Sequence, residues 1–169
     1  MTTASQLLVD GYGRVHEEVL AVLDGLSSAQ LAFRVDDTAN PIGWLVWHLT
    51  RVQDDHLAEA AGVQQRWTEA GWVDRFGLPF EPDATGYGQG RTDVGRVAVD
   101  ASLLAGYHEA VYGATTEFLR RLSDADFDRV VDTRWDPPVT LGVRFVSVLS
   151  DDLQHVGQAA YVRGIIERR

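Results

Sequence analysis

The chain has 169 residues, no cysteine and a formal net charge of −10, and all 15 of its basic residues are arginine. That composition excludes disulfides, thiolate metal sites and Cys or Lys nucleophiles, and any anionic ligand must be met by arginine or backbone amides. Nucleic-acid binding is not expected, because it needs concentrated positive charge to displace counterions from phosphate. One domain spanning residues 1–169 is expected from the length, and no membrane partner, since no run of about 18 apolar residues occurs. The opening MTTASQLLVDGYG lacks the charged and apolar regions of a secretory signal, which makes the cytoplasm the expected location.

Helical spacing of Leu7, Leu8, Tyr12, Val15, Val19 and Leu23 predicts a first helix over Ala4–Leu26, weakened by Gly11 and Gly13. Ser27 or Ser28 then caps a short turn through Leu31. Asn40-Pro41 signals the next start, with Asn as the cap and Pro in the first turn, and Gly62 marks the stop after Ala61. The inner stripe of this helix reads Trp44, Leu45, His48, Val52, Asp55 and Glu59. Residues 62–91 form a long connection with one short helix near Thr68–Phe76, and its Pro and Gly residues argue against further regular structure. A third long helix is predicted over Asp100–Leu122, with Leu103, Leu104, Tyr107, Val111, Ala114, Phe118 and Leu122 facing inward. Ser123 caps a short piece, Asp136-Pro137-Pro138 breaks the chain, and Thr140 opens a last helix. Its inward positions are Leu141, Phe145, Val148, Asp151 or Asp152, His155, Ala159, Val162 and Ile166. Four long amphipathic segments without a convincing set of strands predict an all-α four-helix bundle, with short extra helices in the connections.

Asp151 and His155 stand four apart, one helical turn on one face, which is how a helix presents two ligands to one ion. His48 lies on the inward stripe of the second long helix. Two imidazoles and a carboxylate from facing helices can hold a divalent ion on one side and leave positions for water or substrate. Polar groups facing each other in a bundle core are costly unless paired, and one cation would satisfy all three; otherwise they are hydrogen-bonded core and rim residues. Asp55 is a further ligand or supporting group, Asp152 an alternative carboxylate, and Gln158 a residue that could orient water. His16 and His108 read as surface or boundary histidines. Asp124, Asp126 and Asp128 imitate a calcium loop but lack its glycine and its final glutamate. Gly86-Tyr87-Gly88-Gln89-Gly90 reads as turn chemistry. Trp44 and Trp47 flank His48, and Trp67, Trp72 and Trp135 fall in connections.

In Asn40–His56 (NPIGWLVWHLTRVQDDH) and Ser147–Gly164 (SVLSDDLQHVGQAAYVRG) the sequence resembles the DinB-like superfamily of metal-binding four-helix bundles, a resemblance that spans nearly the whole chain. Members typically place one His on the second helix and an H-x-x-x-H pair on the fourth, the last His followed by x-G-Q. His48 and His155 match; Asp151 stands where the first helix-four His is expected. The resemblance therefore implies a two-histidine, one-carboxylate site, for which Zn²⁺, Ni²⁺, Mn²⁺ or Fe²⁺ is plausible. Relatives include thiol S-transferases using bacillithiol or mycothiol. The function it implies is metal-dependent transfer of a low-molecular-weight thiol to an electrophilic small molecule, with mycothiol fitting an arginine-rich, high-GC coding bias. Metal-dependent hydrolysis and a catalytically silent binding or dimerisation bundle are the alternatives. A homodimer is expected by the same analogy.

Overall fold

The computed structural model describes residues 2–169. Helix α1 (Ala4–Leu23) opens on a reciprocal cap, in which Thr3 accepts from the Gln6 amide and Gln6 accepts from the Thr3 amide at 3.0 Å. It ends three residues before the predicted Leu26. Gly11 serves as a contact point: a Cβ there would lie 2.7 Å from Leu149 Cδ2, so its absence lets the last helix approach. The one-turn helix α2 (Ser28–Leu31) follows with Ser27 as its cap.

Helix α3 (Ile42–Ala61) carries no side-chain cap; Pro41 occupies the capping position and Asn40 does not fill the role predicted for it. Every residue from Pro41 through Arg51 is buried. The predicted single stripe therefore understates this helix, which is covered on several sides, while Glu59 near its end is exposed. The long connection supplies part of the cover, and it folds two short helices in place of the one predicted: α4 (Arg66–Glu69) and α5 (Trp72–Phe76). A third, α6 (Arg91–Val94), precedes α7 (Ala101–Arg120), where Asp100 takes the N-cap position. Polar residues of α3 pin the connection in place. The Asp54 carboxylate accepts from the Arg66 and Trp67 amides at 2.9 and 2.8 Å, and fully buried Arg51 donates to the Ala84 carbonyl at 3.1 Å.

The buried line of α7 is Leu104, Tyr107, His108, Val111, Thr115 and Leu119, so the helix is rotated from the predicted face. His108 is only 1% exposed, not a surface histidine. Thr50 gives its own proton to the Val46 carbonyl, which leaves it to accept from His108 Nδ1 at 3.1 Å and explains how this ring is tolerated in the core. A 3₁₀ turn at Asp124–Asp128 leads to an antiparallel pair that the sequence did not announce, β1 (Val130–Asp132) with β2 (Val139–Thr140). Helix α8 (Leu141–Ile166) starts as predicted, with the Thr140 hydroxyl accepting from the Val143 amide at 3.3 Å. The long helices pack in a ring, α1 against α7 and α8, and α3 against α8 and α7. This is a four-helix bundle, and the chemistry-bearing residues fall where α3 meets α8. No helix among the described residues is long and apolar enough to cross a membrane.

Candidate metal centre

His48, Asp151 and His155 each offer a ligand atom, and these atoms lie within 4.8 Å of one another. The α3–α8 contact brings the imidazoles together, with ring centroids 4.7 Å apart and planes inclined at 71°. Each ring has its second nitrogen committed. Nδ1 of His48 lies 2.6 Å from the Thr85 carbonyl, and Nδ1 of His155 lies 2.8 Å from the carbonyl of Asp151, one turn back. A carbonyl can only accept, so both Nδ1 atoms carry the hydrogen, and each ring in its neutral form keeps the Nε2 lone pair for an ion. Asp151 Oδ2 is 3.3 Å from His155 Nδ1, is shielded from solvent and has no hydrogen bond of good geometry. The donor set thus fits a small divalent cation, with imidazoles oriented from behind and a carboxylate oxygen to spare.

Burial is the main influence on His48 and pushes its pKa below the usual 6.5, so the ring is neutral at pH 7. Burial acts in the same sense on His155 but is outweighed by the side chain and carbonyl of Asp151, which raise it. Burial would raise Asp151, yet the His155 ring 3.3 Å away, with smaller contributions from His48 and His56, brings it below the ordinary carboxylate range. Asp151 and His155 therefore stabilise each other's charged forms.

The surroundings shape this centre. Trp44 stacks on His48 with centroids 4.5 Å apart, and its indole donates to Gln89 at 2.8 Å. The segment read as mere turn chemistry closes over them: a Cβ on Gly86 would lie 2.7 Å from His48 Nδ1 and 3.0 and 3.2 Å from the Trp47 and Trp44 rings. Beside the centre is an open cleft of about 670 Å³, whose wall includes His48, Asp151, Asp55, His56, Tyr87, Trp135, Asp132, Arg134 and Arg144. The other predicted participants part company. Asp55 accepts from Gln65 at 2.6 Å and is outside the three-residue cluster, whereas Asp152 is fully buried with neither oxygen partnered among the described residues. Gln158 is exposed, while Trp67 and Trp72 pack in the core with Tyr107. Sequence reading missed Thr85 and Gly86, whose signal was only a glycine in a long loop, and the Arg134–Asp132–Arg144 group.

The DinB superfamily model matches residues 12–159. The chain belongs to the DinB superfamily. A crystal structure of a conserved protein from Enterococcus faecalis has this DinB-type fold with a TM-score of 0.92 and 25% sequence identity, covering 100% of both chains. No curated protein matches the chain. In this DinB-type bundle His48 and His155 meet at the α3–α8 seam with Asp151 beside them.

Proposed function

We propose that the protein is a metal-dependent enzyme that transfers a small thiol to an electrophilic molecule bound in the adjoining cleft. The observation that carries this reading is the orientation of His48 and His155, each fixed through Nδ1 by a backbone carbonyl while Asp151 stands beside them at the cleft wall. Three protein ligands on one side of a site with an open approach suit a catalytic ion better than a closed structural one. A divalent ion bound there would favour the thiolate form of a thiol at neutral pH. The chain has no cysteine, so the thiol is a cosubstrate, for which mycothiol is the leading choice.

The protein's own residues supply position and proton handling. Thr85 and the Asp151 carbonyl hold the imidazoles in one tautomer, and Trp44 and Gly86 prevent the His48 ring from turning. His56 lines the cleft, and burial, the main influence, lowers its pKa, so it is a neutral base able to take the thiol proton. The same base would serve water if the reaction were hydrolysis.

The test begins with metal content after loading with Zn²⁺, Ni²⁺, Mn²⁺ or Fe²⁺, and continues with mycothiol and a broad electrophile such as monochlorobimane, followed by mass analysis. Stoichiometric metal lost in His155→Ala and conjugate formed above the uncatalysed rate support the reading. Metal binding with hydrolysed product and no conjugate would replace transfer with hydrolysis. No metal binding by the wild type would refute the enzyme reading.

A further inference from the structure

The cleft beside the metal centre contains a cationic group that the proposed chemistry does not use. Asp132 on β1 accepts from Arg134 Nε and Nη2 at 2.9 and 2.8 Å and from Arg144 Nη2 at 2.7 Å. One guanidinium suffices to neutralise this carboxylate, and the second is paired only loosely, Arg134 Nη2 lying 3.8 Å from the half-exposed Glu59 carboxylate. Arg144 is largely buried, at 13% side-chain exposure, and its Nε is shut off from solvent with no partner among the described residues. A buried guanidinium N–H left unpaired is costly, so the protein's own groups do not complete the hydrogen bonding of Arg144. Tyr87 and Trp135 border the same cleft and are 93% and 67% exposed, large aromatic surfaces without protein cover.

Charge bookkeeping narrows the class of anion. The cleft wall carries three carboxylates, Asp55, Asp132 and Asp151, against two guanidiniums, Arg134 and Arg144. With so little positive charge to meet it, a monoanion suits this cleft better than a phosphate dianion. A guanidinium edge also pairs with the planar carboxylate. On the −10 chain two arginines converging on one carboxylate at a cleft wall are not a general property of the surface.

We propose that Arg144 and Arg134 form a carboxylate-recognition subsite, so that the molecule handled in this cleft is a small monocarboxylate with a flat apolar body that lies against Tyr87 and Trp135. Its link to chemistry rests on the metal-enzyme reading; carboxylate recognition by the arginines does not. Titration calorimetry with benzoate and with benzamide, its uncharged counterpart, tests the subsite on zinc-loaded and zinc-free protein, after zinc binding itself has been measured. Benzoate is expected to bind more tightly than benzamide, more tightly with zinc than without, and about 10- to 100-fold more weakly to Arg144→Gln. Arg134→Gln, whose side chain is 73% exposed, gives a second variant if Arg144→Gln does not fold, and should weaken benzoate while leaving zinc affinity unchanged. Equal affinity for benzoate and benzamide, or benzoate binding indifferent to both substitutions, overturns the subsite. Absence of zinc binding would instead defeat the metal reading, and the arginine dependence in zinc-free protein would still decide this one.

Discussion

Replacing Gly86 with alanine tests how the long connection and the metal centre depend on each other. Two costs arise. Gly86 has φ +95°, a region where a side chain costs about 1–3 kcal/mol. The new Cβ would also meet His48 Nδ1 at 2.7 Å, so the ring must move and its bond to Thr85 is lost, a further ~0.5–1.5 kcal/mol. Together they predict a loss of roughly 2–4 kcal/mol, or about 5–15 °C in melting temperature for a chain of this size. Gly88 is the control: its φ is +74° but nothing lies within 4 Å of its missing Cβ, so Gly88→Ala should show the backbone cost alone. Urea and thermal melts followed by circular dichroism measure stability, and a competitive zinc titration measures affinity. Gly86→Ala should weaken zinc more than tenfold and Gly88→Ala should not. If the two variants behave alike in both assays, the packing of Gly86 on His48 is not what holds the ring.

The remaining expectations concern ionisation and the ligands. His48→Ala should lower zinc affinity by well over tenfold while the helical circular dichroism signal is kept, which separates a ligand from a core support. Asp152 is fully buried without a hydrogen bond, and burial raises its pKa well above the ordinary value. The native state therefore holds a proton that the unfolded chain releases, so this residue's contribution to stability is full below about pH 3.8 and is lost as pH rises toward its folded pKa. The loss is about 1.4 kcal/mol per pH unit in that window, and urea midpoints at successive pH values should show it in the wild type but not in Asp152→Asn. In metal-free protein His155 has a raised pKa, so its pairing with Asp151 stabilises the fold below about pH 6.5 and fades as pH rises through the folded value. Histidine chemical shifts in wild type and Asp151→Asn should show that raised value falling in the variant.

Long-range periodicity made the four long helices readable and placed His48 and His155 on inward stripes, while the choice of Asp151 leaned on the i,i+4 spacing and on the DinB resemblance. The rotation of α7 was harder to see. Its buried face includes His108 and Thr115, polar residues whose hydrogen bonds go to Thr50 and to the Val111 carbonyl, and polarity alone argues for the opposite face. The position of Arg51 was illegible for the same reason, since its hydrogen-bond partners lie in the long connection and on α7. Asp151 and Asp152 could not be told apart by spacing. The structure separates them: the first borders the cleft, and the second enters the core.

His48 and the pair on α8 stand more than half the chain apart, and Thr85 must arrive from a third place before the His48 ring is fixed. The unfolded chain accordingly offers only half of the proposed site, the i,i+4 pair, which would hold a divalent ion weakly beside the assembled three residues. An ion that binds the native state so selectively acts as a thermodynamic reporter of folding. At a free concentration one hundred times its dissociation constant it would add about 2.7 kcal/mol to stability. Growth of the unfolding midpoint with the logarithm of metal concentration would then measure how completely the two distant halves of the chain have come together.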